Sequence, residues 1–173
     1  MGSMDYFRSA AQDLHKNYFE AIDGLTDDQF HFRPLDAGNH IAFILWHYVR
    51  TEDTVLNSLL QKKTTVWNAE EWDKKLGMDP RSQGTGMSAE EAAAVRIGDI
   101  GEFKKYMESA FKATEAFLET VKEEDLEQVH DLPFLGKRSL YQLIGGTILQ
   151  HGANHMGEIS YVKGLQGMKG SPH

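Results

Sequence analysis

The chain contains no cysteine. That absence excludes disulfides, thiolate metal ligands, iron–sulfur clusters and a cysteine nucleophile. No apolar run approaches the roughly 18 to 20 residues that a membrane-crossing helix needs. The longest, Ile41 to Trp46, leads straight into His47. The N-terminus lacks the basic-then-apolar order of a signal peptide, so a cytoplasmic location is the expectation. Basic charge is also short. Lys and Arg number 18 against 26 Asp and Glu, for a net charge of −8. No surplus of cations exists to displace counterions from a phosphate backbone. Neither a nucleic acid nor a membrane is an expected partner.

What remains is an ordinary globular balance. The 173 residues are 40% apolar and 25% charged, enough to bury one core without metal or disulfide staples. Met1-Gly2-Ser3-Met4 resembles a cloning scar ahead of a start at Met4. Residues 5–167 read as a single domain and 168–173 as a loose tail.

The helical period dominates. Phe7, Ala11, Leu14, Tyr18, Ile22 and Leu25 form one stripe from Asp5 to about Leu25. Thr26-Asp27-Asp28-Gln29 is a capping box that opens one extra turn. Asn39 is the candidate cap of a second long helix reaching about Lys63, apolar on most sides at first and expected to emerge after Arg50. Residues 64–98 form a long connection, with one short helix over Ala69 to Leu76 and another opened by the Ser88-Ala89-Glu90-Glu91 capping box. Trp67 and Trp72 either cover the pocket or fill the bundle's flank, and filling is the preferred reading. A third long helix spans Asp99 to Lys122, with Phe103 and Tyr106 on its core face and Tyr106 within conceivable reach of the site. The chain breaks at Asp131, Pro133 and Gly136. A fourth helix runs from the Ser139–Gln142 capping box to about Lys163. Strand signals are almost absent. The fold class is all-α, a four-helix bundle with a long connection between helices two and three. The pair Gly145-Gly146 costs helix propensity, which a tight helix crossing there would explain.

Eight histidines are unevenly placed. His151 and His155 lie four apart, on one face of the fourth helix. Neutral imidazoles at that spacing can grip one divalent cation, and Ile144, Ile148 and Val162 put this face toward the core. Two core histidines satisfied by neighbouring groups are the bland alternative. His47 sits mid-helix in the most buried-looking stretch. Three histidines from two helices would form an open set, with positions left for water or substrate. Imidazole suits zinc, nickel, iron or copper. Glu158, on the same face, is placed to ligate, to orient a water or to hold a ligand imidazole; an Arg or Lys partner is the structural alternative. Arg50, Glu52 and Asp53 read mainly as structural. His40 is expected near solvent. His15, His31, His130 and His173 read as surface or loop residues.

Two stretches resemble a known family. His40-Ile41-Ala42-Phe43-Ile44-Leu45-Trp46-His47-Tyr48-Val49-Arg50-Thr51-Glu52-Asp53 is similar to the second-helix signature of the DinB-like family. His151-Gly152-Ala153-Asn154-His155-Met156-Gly157-Glu158-Ile159 is similar to its fourth-helix signature. The resemblance runs from Tyr6 to Leu165. It implies a bundle in down-up-up-down order and a divalent metal held by His47, His151 and His155, with zinc or nickel ahead of iron. It also implies thiol S-transfer with a low-molecular-weight thiol cosubstrate. Metal-dependent hydrolysis is the rival activity, and a non-catalytic bundle that binds a metal or small ligand is the third reading. Glu158 is the candidate for proton handling. A small-molecule substrate and a homodimer complete the expectations.

Overall fold

The computed structural model describes residues 2–36 and 38–170. Met1 and the tail's Ser171 to His173 lie outside the described residues. The apolar stripe of the first helix, α1 (Ser3–Ile22), is buried at Phe7, Ala11, Leu14, Tyr18 and Ile22, and Met4 joins it. Thr26 opens α2 (Asp27–Phe30) with a reciprocal box: Gln29 N–H donates to Thr26 Oγ1 at 3.2 Å, and Thr26 N–H to Gln29 Oε1 at 3.0 Å. The second long helix, α3 (Ile41–Asp53), is capped by His40 rather than Asn39. Its Nδ1 accepts from Phe43 N–H at 3.0 Å. The helix continues as a wider π-helical segment, Thr54–Leu60.

The connection holds three short helices: α4 (Val66–Ala69), α5 (Trp72–Leu76) and α6 (Ala89–Ala94). The single helix expected over Ala69 to Leu76 is divided at Glu71, whose φ of 56° is left-handed and cannot continue a helix. The third long helix is α7 (Ile100–Thr120), capped by Asp99. A 3₁₀ turn, Glu123–Glu127, leads to a hairpin of β1 (Val129–Leu132) and β2 (Gly136–Ser139), paired antiparallel with Val129 opposite Ser139. Only a break was expected here. The strands are short and mostly exposed, so no apolar alternation marks them. The fourth helix starts as α8 (Leu140–Leu143), widens into a π-helical segment over Ile144–Gln150, and resumes as α9 (His151–Leu165). Among the described residues no helix is long and apolar enough to cross a membrane.

Side-chain contacts set the helix directions. Phe7 meets Tyr141, Tyr18 meets Gly152, and Lys163 reaches the Ala21 carbonyl, so α1 and the fourth helix run parallel. Arg8 bonds the Leu118 carbonyl, His15 meets Glu115, and Lys104 meets Asp23, so α7 runs against α1. Val55 clusters with Leu143 while His47 faces His151 and His155, so α3 opposes the fourth helix. The order is down-up-up-down. Helices α3 and α7 are parallel, and the long connection carries the chain back between them.

The tight crossing lies at Gly152, not at the glycine pair. A Cβ on Gly152 would come within 2.5 Å of Leu14 Cδ2 and 2.9 Å of the Tyr48 ring, whereas Gly145 has its nearest neighbour at 3.9 Å and Gly146 has none within 4 Å. The polar half of α3 does not emerge either: Arg50, Glu52 and Asp53 are all buried. Asp53 accepts from Val66 N–H, Trp67 N–H, the Asn57 amide and the Tyr106 hydroxyl. Tyr106 is thereby committed to Asp53 rather than to the site. Trp67 and Trp72 pack beside it and fill the flank.

Candidate metal centre

On α3, Phe43, His47 and Thr51 recur every fourth residue and share one face. On α9, His151 and His155 are one turn apart. The small Gly152 lets α9 settle against α1 and Tyr48, which directs both imidazoles toward α3. Ring centroids lie 5.4 Å apart for His47–His151, 5.3 Å for His47–His155 and 4.4 Å for His151–His155. One nitrogen from each ring falls within 4.8 Å of the others. The Nε2 atoms of His151 and His155 are 2.8 Å apart.

The outward nitrogens of His47 and His155 are engaged. His47 Nδ1 donates to the Gln83 carbonyl at 2.6 Å, and His155 Nδ1 donates to Glu158 Oε2 at 2.8 Å. An N–H fixed on Nδ1 leaves the Nε2 lone pair facing inward. Burial pushes His47 below the usual imidazole range. Burial, followed by the neighbouring His155 and His47, brings His151 down to about 4. Both are therefore neutral at physiological pH, which is the form that ligates. The hydrogen bond from His155 holds the Glu158 carboxyl below its ordinary value, despite partial burial. Three imidazoles with converging nitrogens fit a divalent cation. No fourth His, Asp or Glu joins the cluster among the described residues.

The three histidines lie on the floor of a cleft of about 590 Å³, walled by Asn39, Phe43, Thr51, Thr85, Met87 and Ala92. The Phe43 ring lies parallel to that of His47, 6.0 Å away. Glu158 does not line this cleft; its carboxylate is spent on His155. The wall opposite α3 comes from residues 84–92, not from the tryptophans.

Several histidines depart from expectation. His40 is buried at 1% exposure, and its pKa falls to about 4 through burial, with His31 and Arg96 adding. His15 is buried too. Its ring stacks on Phe111 at 3.9 Å, its Nδ1 donates to Glu115 at 2.8 Å, and its Nε2 lies 3.2 Å from Glu52 Oε1. His31 Nε2 accepts from Ile97 N–H at 3.1 Å. None of these joins the cluster, and His173 lies outside the described residues. Sequence reasoning missed Gln83 and Gly84, whose contribution is backbone and therefore carries no side-chain signature.

Several solved structures share this fold. A conserved protein from Enterococcus faecalis aligns with a TM-score of 0.83 at 20% identity, over 95% of this chain and 97% of that one. YfiT from Bacillus subtilis, described as a probable metal-dependent hydrolase with an unusual four-helix bundle topology, aligns at 0.60 and 14% identity, over 96% and 89%. A Streptococcus pneumoniae protein aligns at 0.57 and 13% identity, over 95% and 92%. Comparison with curated protein sequences gives no match. The DinB superfamily profile matches residues 10–159, and the chain belongs to that superfamily.

Proposed function

We propose that the protein is a divalent-metal-dependent enzyme acting on a small neutral substrate, with His47, His151 and His155 as ligands. One observation carries this reading. Three imidazoles converge at a cleft, the outer nitrogens of His47 and His155 are engaged, and among the described residues no fourth His, Asp or Glu closes the set. A structural site would complete the tetrahedron with another side chain. A cation bound there supplies Lewis acidity and lowers the pKa of a water or thiol that reaches it. Zinc and nickel suit the donors best, with iron next.

The chain's own residues supply orientation and selection. Gln83 and Glu158 hold two of the rings in register. Thr51 contributes to the cleft wall, and its hydroxyl is buried without a partner behind that wall. Apart from the histidines, the described lining carries no formal charge. That wall accommodates amide, hydroxyl and apolar groups and offers no cationic side chain to a phosphate.

The reaction we favour is transfer of a low-molecular-weight thiol to an electrophile. With no cysteine in the chain, the sulfur must be a cosubstrate's. With Glu158 committed to His155, no carboxylate among the described residues faces the cleft as a base. A thiol tolerates that lack best, because it ionises more readily than water. Hydrolysis is the second reading, supported by the likeness to YfiT.

The test loads the protein with zinc or nickel and supplies a small thiol with a panel of electrophiles, then ester and amide substrates without thiol. Thiol-dependent turnover lost on chelation supports transfer, and thiol-independent turnover supports hydrolysis. Tight ligand binding without conversion makes the protein a binding bundle. Metal content unchanged in His47→Ala, His151→Ala and His155→Ala alike would remove the site.

A further inference from the structure

We infer that Arg50 is a positioning residue for the metal centre, acting through the backbone of residues 80–84 on His47. The inference rests on the reading of His47 as a ligand. Arg50 is 3% exposed. Its Nε donates to the Ser82 carbonyl at 3.1 Å and its Nη2 to the Pro80 carbonyl at 3.2 Å. The guanidinium carbon sits 4.5 Å from the centre of the Trp67 ring. Among the described residues no carboxylate pairs with it. A buried cation is costly unless polar groups surround it. Here those groups are carbonyls of one strap, so displacing the strap would strand the charge.

The next residue of that strap is Gln83, whose carbonyl holds Nδ1 of His47. Gly84 follows, at a φ of 85°, so close that a Cβ would lie 3.0 Å from His47 Nδ1 and 3.2 Å from Phe43 Cε2. Phe43, His47 and Arg50 share one face of α3. The strap therefore lies flat on that face, clamped at one end by the guanidinium fork and delivering its carbonyl to the ligand at the other. The two-pronged grip suits arginine alone, because lysine offers a single nitrogen.

The experiment compares wild type with Arg50→Met, Arg50→Lys and Asp53→Asn. Asp53 anchors the other end of the connection, at Val66 and Trp67. Long-range ¹H–¹⁵N NMR on the metal-free protein reports the tautomer of His47, and chelator competition reports zinc affinity. Wild type should show a single Nδ1-protonated tautomer. Arg50→Met should mix the tautomers and weaken zinc about 10- to 100-fold. Arg50→Lys should show a smaller change in the same direction, and it decides the matter if Arg50→Met does not fold. Asp53→Asn should lose stability yet keep the tautomer. Folded Arg50 variants with the wild-type tautomer and zinc affinity within about twofold would overturn the inference, as would an equal tautomer shift in Asp53→Asn. Wild type that binds no zinc would overturn the metal reading instead, while the tautomer measurement still decides the positioning.

Discussion

Gly152 and Leu14 approach so closely that a methyl group added to the glycine would sit 2.5 Å from the leucine's Cδ2. The same glycine's carbonyl accepts the Tyr18 hydroxyl at 2.7 Å. Helices α1, α3 and α9 thus meet at the residue that follows His151. Gly152→Ala must force Leu14 or the Tyr48 ring aside, an overpacking cost of about 1–3 kcal/mol. Gly157, in the same helix, has nothing within 4 Å of its would-be Cβ. Gly157→Ala should be neutral or stabilising by up to ~1 kcal/mol through helix propensity. Urea denaturation of both variants reads the difference, and equal stabilities would show that the crossing is not tight.

The buried pair of His15 and Glu52 makes stability depend on pH. Burial works against charge on His15, but Glu52 and Glu115 outweigh it and raise the imidazole from 6.5 to about 9. Burial also opposes charge on Glu52, yet His15, Thr114 and Tyr48 hold its carboxyl below the usual range. A raised histidine contributes stability that is full below its unfolded value and is lost as pH climbs through the folded one. The depressed carboxyl contributes above its unfolded value and is lost as pH falls through its folded one. The pair is therefore most stabilising between about pH 4.5 and 6.5. Unfolding free energy should drop by roughly 3 kcal/mol between pH 6 and pH 10. His15→Gln should flatten that slope, and parallel wild-type and His15→Gln curves would refute the coupling.

Legibility followed the kind of signal each residue carries. His151 and His155 are visible because a spacing of four is a helical fact. His47 stands out through its mid-helix place in the most buried-looking stretch, and likeness to the DinB signatures joins it to the fourth-helix pair, since no spacing links the two helices. His15 was misread because its partners, Glu52 and Glu115, arrive from other helices, the latter 100 residues away. Arg50 and Asp53 read as structural and are so, but their partners are backbone groups of the connection, which carry no side-chain signature. The π-helical segments at Thr54–Leu60 and Ile144–Gln150 change the hydrogen-bond step without changing composition. Gly145 and Gly152 look alike in sequence, and only packing separates them.

Asp53 should prove the more sensitive end of the long connection for stability. Its two oxygens accept four hydrogen bonds from Asn57, Val66, Trp67 and Tyr106, and it is 0% exposed. Asp53→Asn presents one acceptor oxygen and turns an amide toward donors. The expected cost is about 2–4 kcal/mol. Tyr106→Phe removes one donor and should cost about 1 kcal/mol. Thermal unfolding ranks the two, and the reverse order would mean that the Asp53 contacts do not anchor α4.

Glu158 offers the sharpest separation between orientation and proton transfer. Its Oε2 accepts from His155 Nδ1 at 2.8 Å, and it does not line the cleft. A carboxylate in that place fixes the tautomer and raises the basicity of the inward nitrogen. Glu158→Gln keeps an acceptor and loses the charge, so zinc affinity should fall about 10-fold. Glu158→Ala loses both and should fall toward 100-fold. Once saturated with metal, Glu158→Gln should keep the shape of the wild-type pH–rate profile, because no proton passes through the carboxylate. A base in the same position would behave in the opposite way. Zinc affinity would stay near wild type while kcat dropped about 10²-fold or more, and one limb of the profile would vanish. Chelator competition and a pH series on the saturated protein therefore assign the role of Glu158 from a single substitution.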